Sequence, residues 1–168
     1  RDERLKTVSG TTVIKDLNIL SLIIKTAMTE WGFKLATNPV VSVKKPKENK
    51  ARDRRLADGE YERLLKECGK RKNHWFKPLV VVALETGMRR GELLSLEWKH
   101  VHLDKSWAHL PMTKNGDGRD VPLSRRALDE LQKLPRDISG VVFPISISAL
   151  RGLWDRSLRQ ADIQDLHF

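Results

Sequence analysis

Cysteine and tyrosine are almost absent: the chain holds one of each, Cys68 and Tyr61, in 168 residues. A single cysteine excludes an internal disulfide and a cysteine-built zinc site. Its place on the apolar side of an expected helix makes it a small core residue. The five histidines (His74, His100, His102, His109 and His167) show no metal-ligand spacing on one element, so no metal is expected. There is no glycine-rich phosphate loop and no paired-carboxylate site, and no cofactor is expected. No apolar run approaches the ~20 residues of a membrane-spanning helix, and the N-terminus lacks a signal-peptide pattern. These absences together place the expected protein in the cytoplasm, away from membranes. Internal repeats and low-complexity tracts are also lacking.

Positive charge is plentiful. Thirty-two Lys and Arg against 22 Asp and Glu leave +10, with a pI near 9.9. Such a surplus favours a polyanionic partner, nucleic acid before membrane. Half of it is concentrated in residues 44–55, where seven cations, Lys44, Lys45, Arg54 and Arg55 among them, meet only two acids. The stretch reads as a linker able to lie along a nucleic-acid backbone.

Apolar periodicity organises the rest. Val13, Ile14, Leu17, Leu20, Ile24, Ala27, Met28 and Trp31 recur at helical spacing, which predicts an amphipathic helix over 11–31. Ser9 or Thr11 can cap its start and Gly32 can end it. One helix cannot bury that stripe alone, so it is expected to belong to a small helical domain that closes at Asn38-Pro39. After the basic stretch, Asp58 is expected to cap a helix through Tyr61, Leu64, Leu65 and Cys68. An apolar helix spans about 75–85, and a third about 91–98. The period then becomes two, giving three short strands near 101–103, 106–110 and 119–123, joined by turns at Asp104-Lys105 and Asn115-Gly116-Asp117-Gly118. Helices return at 124–134, capped by Ser124, and at about 146–161. The fold class expected is mainly α with a small three-stranded antiparallel sheet (α+β).

Candidate chemistry centres on Arg89. The apolar run from Leu79 to Leu84 leads into Thr86-Gly87-Met88-Arg89-Arg90-Gly91-Glu92-Leu93-Leu94-Ser95-Leu96. A cation therefore stands where a core element reaches the surface, with the Glu92 carboxylate three residues on to orient it. A planar guanidinium so placed suits a phosphate. A surface salt bridge to Glu92 or Glu85 is the plainer reading. Lys114 opens the glycine-rich turn between two strands. It is a solvated tip residue, or an ammonium brought beside a leaving oxygen as a general acid. On the last helix Arg151, Arg156 and Arg159 face largely outward, while Leu150, Leu153, Trp154 and Leu158 face in.

The run from Thr86 through Trp98 resembles the first arginine box of the tyrosine recombinases, the phage-integrase family. The order continues as in that family, with Thr113-Lys114 and its glycine-containing turn, then Arg119-Asp120-Val121-Pro122-Leu123. Asp58-Gly59-Glu60-Tyr61-Glu62-Arg63-Leu64-Leu65 looks like the entry to its catalytic domain. Residues 1–42, with Trp31 and Asn38-Pro39-Val40, look like the end of its helical, SAM-like core-binding domain. The resemblance thus implies three parts: 1–42, a basic linker over 43–57, and an N-terminal portion of the catalytic domain over 58–168.

Members of that family cut and rejoin double-stranded DNA through a 3′-phosphotyrosyl intermediate, without metal or nucleotide, and assemble as homotetramers on DNA. The resemblance makes Arg89 the first catalytic arginine, Glu92 its supporting acid and Lys114 the hairpin lysine. It makes Lys44, Lys45, Arg54, Arg55, Arg151, Arg156 and Arg159 candidate DNA contacts. The His-x-x-Arg box and the nucleophilic tyrosine of the family lie C-terminal to these elements. His167 belongs to the short run that precedes that box, and Tyr61 sits in the entry helix as a packing residue. The 168 residues are therefore expected to be truncated before the nucleophile, to bind DNA as a monomer and not to cleave it. The implied parent is a site-specific recombinase of the phage or genomic-island type. The alternative is a non-catalytic DNA-binding regulator on the same fold.

Overall fold

A computed structural model describes residues 1–51, 53–111 and 117–168, which divide into two units, Arg1–Asp53 and Arg54–Phe168. The division falls inside the basic stretch.

The first unit is built on α2 (Gly10–Thr29), preceded by the short α1 (Asp2–Leu5). Ser9 caps α2, its hydroxyl accepting the Thr12 N–H at 3.3 Å. The first half of the basic stretch is fastened to this helix instead of hanging free. Lys45 Nζ donates to Asn18 Oδ1 at 3.0 Å, and the Asn49 N–H donates to Thr11 Oγ1 at 2.9 Å. A β-carbon at position 10 would collide with the Lys47 carbonyl oxygen, so Gly10 permits this close approach. Asn38 closes the unit through Nδ2, which donates to the Ser21 carbonyl at 3.0 Å. Of α2 only Val13 is buried; Ile14, Leu17, Ile24, Ala27 and Met28 are half-buried and Leu20 is exposed, as is Trp31 beyond the helix end, so the apolar stripe is only partly covered within this unit.

In the second unit, α4 (Phe76–Thr86) is the central element, packed against α3 (Glu60–Gly69) and α6 (Arg125–Gln132). Phe76, Leu79, Val80 and Val82 on α4 are all but sealed from solvent. Full burial of each such side chain contributes about 1.5–3 kcal/mol. Pro78 is tolerated because it lies in the first turn, where no helical N–H is required. α5 (Arg90–Leu94) follows, then a single 3-10 turn over Trp98–His100. The expected helix to residue 98 is therefore too long. It ends where the Ser95 hydroxyl donates back to the Gly91 carbonyl at 2.9 Å.

Strands β1 (Val101–His102), β2 (Trp107–Leu110) and β3 (Arg119–Pro122) form an antiparallel meander in sequence order. Ala108, Leu110 and Val121 point into the core. Trp107 and His109 alternate with them on the other face, as a period of two requires. Ser124 caps α6, and its hydroxyl also donates to Glu85 at 2.6 Å, tying α6 to the end of α4. α7 (Ile147–Gln160) closes the unit, capped by Ser146 and packed on α3.

Asp58 does not cap α3. The N-cap is Gly59 at φ +76°, and the Glu60 carboxylate accepts the Ala57 N–H at 2.8 Å instead. Cys68 is buried, and burial pushes its thiol up to about 11, as suits an inert core residue. Among the described residues no helix is long and apolar enough to cross a membrane, and no group of His, Cys, Asp and Glu could hold a metal.

Candidate phosphate-binding site

The site begins where α4 stops. Thr86 Oγ1 donates to the Val82 carbonyl at 2.6 Å, and the Gly87 N–H closes the last turn on Ala83 at 3.0 Å. Gly87 adopts φ +64°, the left-handed conformation that ends helices and that glycine takes without penalty. The reversal sends Met88 back into the core, 5% exposed, and presents Arg89 in extended conformation as the N-cap of α5.

Glu92 holds this arginine twice. Its Oε2 accepts the Arg89 backbone N–H at 2.9 Å, and its Oε1 accepts Arg89 Nη1 at 2.9 Å. The same Oε2 accepts Arg119 Nη2 at 2.8 Å. The carboxylate is 7% exposed, whereas the Arg89 and Arg119 side chains are 56% and 42% exposed. A sealed acid thus anchors two cations whose remaining N–H groups face outward. Burial pushes the Glu92 carboxyl up. The Arg89 N–H and the two guanidiniums outweigh it, so the group lies below the ordinary carboxylate range and stays ionised.

Arg119 has no assigned role in the sequence reading, although its strand is recognised there. The signal is present: it lies two residues before buried Val121 and directly opposite buried Leu110, so it shares their face. At the end of that face, beyond the core, it meets Glu92. Lys114 lies outside the described residues; the sequence places it between Leu110 and Arg119, in the segment joining β2 to β3.

Around Arg89 opens a cleft of about 350 Å³, with Arg90, Met88, Trp154, His167 and Phe168 on its walls. Arg151 of α7 shares an adjoining cleft with Arg90. Arg156 lines a different groove with Lys70 and Lys72, and Arg159 another with Asp162. The three arginines of α7 are exposed but fan out instead of converging.

In the basic stretch, Lys45 is engaged by Asn18 and the Lys44 carbonyl by Arg1. Arg54, 24% exposed, grips both carboxylate oxygens of Glu60 at 2.7 and 2.8 Å, and the Arg54 guanidinium with the Ala57 N–H keeps Glu60 below the usual carboxylate range. Arg54 is thus committed to fastening the start of the second unit, while Arg55 is exposed.

Tyr61 is half-buried, its hydroxyl 3.5 Å from Glu85 and its ring beneath Arg126. Burial, then the nearby Glu85 charge, raises its phenol above the ordinary value, which opposes a nucleophilic role. His102 stacks on Trp107 and His109 pairs with Asp120 on the outer sheet face, away from Arg89's side of the strands.

Comparison with known proteins gives the family and the fold. The model of the phage integrase family matches residues 54–168. The shufflon-specific DNA recombinase of Escherichia coli is 45% identical over 163 residues, covering 97% of this chain and 42% of that protein. A putative integrase/recombinase of Haemophilus influenzae is 33% identical over 177 residues, covering 99% and 57%. The chain thus spans about half the length of these relatives. Among solved structures, lambda integrase bound to DNA superposes with a TM-score of 0.77 at 18% identity, over 99% of this chain and 61% of that one. A lambda integrase tetramer bound to a Holliday junction gives 0.68 at 19%, over 98% and 53%. The fold is that of these integrases, mainly α with a three-stranded antiparallel sheet, and by sequence the chain belongs to the phage integrase family.

Proposed function

We propose that this chain is part of a site-specific DNA recombinase that cuts and rejoins double-stranded DNA through a 3′-phosphotyrosyl intermediate. The observation that carries the reading is the Arg89–Glu92–Arg119 cluster. Phosphoryl transfer places growing negative charge on the non-bridging oxygens, and a cation fixed in advance lowers that barrier without reorganising at the moment of reaction. Arg89 is the group assigned to the scissile phosphate, Glu92 its support, and Lys114 the acid that protonates the leaving 5′-oxygen. The attacking tyrosine is not Tyr61, whose hydroxyl is tied to Glu85. It is assigned to polypeptide beyond these residues, as the 42% coverage of the shufflon-specific recombinase permits.

The relatives named above are a DNA recombinase and integrases, and the solved neighbours hold DNA and, in one case, a Holliday junction as a tetramer. The reading gives the full-length protein duplex DNA as partner, a tetramer as its working assembly and the cytoplasm as its place of action. Arg151, next to Arg90, is the α7 residue best placed to extend the contact from the cleft.

The test is covalent capture. The full-length gene product is mixed with nicked duplex carrying its recombination site and resolved on a denaturing gel. A protein–DNA adduct is expected, with Arg89→Ala reducing its rate by at least the ~100-fold typical of one missing oxyanion donor. Normal adduct formation by Arg89→Ala overturns the assignment.

A further inference from the structure

We propose that the groove between α7 and the turn joining α3 to α4 holds a backbone phosphate of the bound DNA, gripped by Lys72 from one wall and Arg156 from the other. The inference rests on the DNA-binding part of the reading above and adds to it a site separate from Arg89.

The groove encloses about 550 Å³. Lys70, Lys72 and Asn73 of the turn form one wall. Ala149, Gly152, Leu153 and Arg156 form the other, spaced as one face of a helix. Among the described residues no carboxylate lines it. The groove of Arg159 has Asp155 and Asp162 on its walls, and the one beside Tyr61 has Asp129 and Glu130. Lys70 is shared with the buried Glu67 at 2.6 Å. Lys72 and Arg156 are exposed, and among the described residues neither has an ion-pair partner. Two uncompensated cations thus face one space.

The walls are fastened to each other. Arg71, its side chain 10% exposed, donates Nε to Ser157 Oγ at 3.1 Å and Nη2 to Gln160 Oε1. The turn and α7 are therefore held together before any ligand arrives, which spares the cost of ordering them on binding. Asn73 Oδ1 accepts the Trp75 N–H at 3.1 Å, which leaves its Nδ2 as a donor. Gly152 weakens α7 as any mid-helix glycine does, yet a β-carbon there would meet nothing within 4 Å. No packing inside the chain requires its bareness; what it leaves open is the floor of the groove.

An ammonium, a guanidinium and an amide donor over an apolar floor match a phosphodiester, whose oxygens take the cations while the sugar lies on Ala149 and Leu153. From Ala149 to Arg156 the face runs about 10 Å, or about three base-pair rises, so it follows a strand instead of one base. Such a contact fixes the protein on the duplex without reading its sequence.

The experiment is fluorescence anisotropy of the full-length gene product on duplex carrying its recombination site, across a salt series. Lys72→Gln with Arg156→Gln is expected to reduce the slope of log affinity against log salt by about 0.9, which is about 10-fold weaker binding at ~0.1 M salt and little change near ~1 M. Lys133→Gln, in the groove that holds Asp129 and Glu130, is expected to leave the slope unchanged. Gly152→Glu puts an acid on the floor without a clash; it is expected to weaken binding as the double substitution does, with thermal unfolding unchanged, while Gly152→Ala binds normally. Neutral methylphosphonates placed singly in the duplex then locate the contact. One position is expected whose neutralisation weakens the unaltered protein about 10-fold and the double variant not at all. An unchanged slope, the same fall in Lys133→Gln, normal binding by Gly152→Glu, or no such position overturns the proposal. If the unaltered protein binds the duplex but forms no covalent adduct, the recombinase reading fails while the groove is still tested as above. If it does not bind DNA at all, both are overturned.

Discussion

Removing the Glu92 carboxylate tests whether the cluster is as preorganised as its geometry says. Glu92→Ala deletes three hydrogen bonds, one from the Arg89 N–H and two from guanidiniums. The first is a helix-capping bond worth about 1 kcal/mol. The other two involve side chains 56% and 42% exposed, so each is discounted to about 0.5 kcal/mol. The expected loss is about 2 kcal/mol. Glu92→Gln keeps one acceptor oxygen and most of the volume, and its loss is about 1 kcal/mol. The sign with pH follows from the depressed carboxyl. A group whose folded value lies below its unfolded one contributes stability above the unfolded value and loses it as pH falls through the folded one. The gap between unaltered protein and Glu92→Gln should therefore be widest near neutrality and shrink below the ordinary glutamate range. Urea unfolding followed by circular dichroism, at neutral pH and again near pH ~3, measures both. Glu92→Ala within about 0.5 kcal/mol of the unaltered protein, or a gap independent of pH, would refute the claim that Glu92 is an anchoring anion.

Other expectations follow from single features. Lys114→Ala in the full-length protein should slow adduct formation far more than it weakens DNA binding; equal losses would make Lys114 a phosphate ligand only. Replacing Arg151, Arg156 and Arg159 together by Gln should reduce the slope of log affinity against log salt by about 0.9 for each phosphate no longer neutralised. Because the three point into different grooves, the fall should be smaller than three phosphates would give, with Arg151 contributing; fluorescence anisotropy across a salt series reads it. Gly87→Ala should destabilise by about 1 kcal/mol. A β-carbon there meets nothing within 4 Å, so the cost is purely the left-handed backbone at φ +64°. Gly87→Asn should recover part of it in thermal unfolding.

Much of the second unit is legible in the sequence because its elements announce themselves locally. Leu79 to Leu84 is too apolar to be anything but central, and Ser124 caps as its position before a helical period suggests. The change of period at Val101 gives the meander. The departures have physical causes. Asp58 is a strong capping residue by type, yet the chain enters α3 through left-handed Gly59, which turns the job over to Glu60. The third helix stops early because Ser95 bonds back to Gly91, an interaction that sequence periodicity cannot register. The basic stretch reads as a strap on charge alone, but Lys45 and Arg54 have partners, Asn18 and Glu60, 27 and 6 residues away. Charge counts register cations and not what they hold.

The candidate site shows the same division. Arg89 and Glu92 are three residues apart, so helical spacing alone pairs them. Arg119 is 27 residues from Glu92, and only the pleat and register of β3 bring it to the same carboxylate. That third member changes the electrostatics. One acid and one arginine make a neutral pair with little pull on a phosphate. One acid and two arginines leave a net charge of +1 at a point where the acid is buried and the cations are not. The acid fixes the geometry and the surplus cation supplies the field. Loss of the carboxylate would raise the net charge to +2 while releasing both cations from their common anchor, so Glu92→Ala separates the worth of placement from the worth of charge.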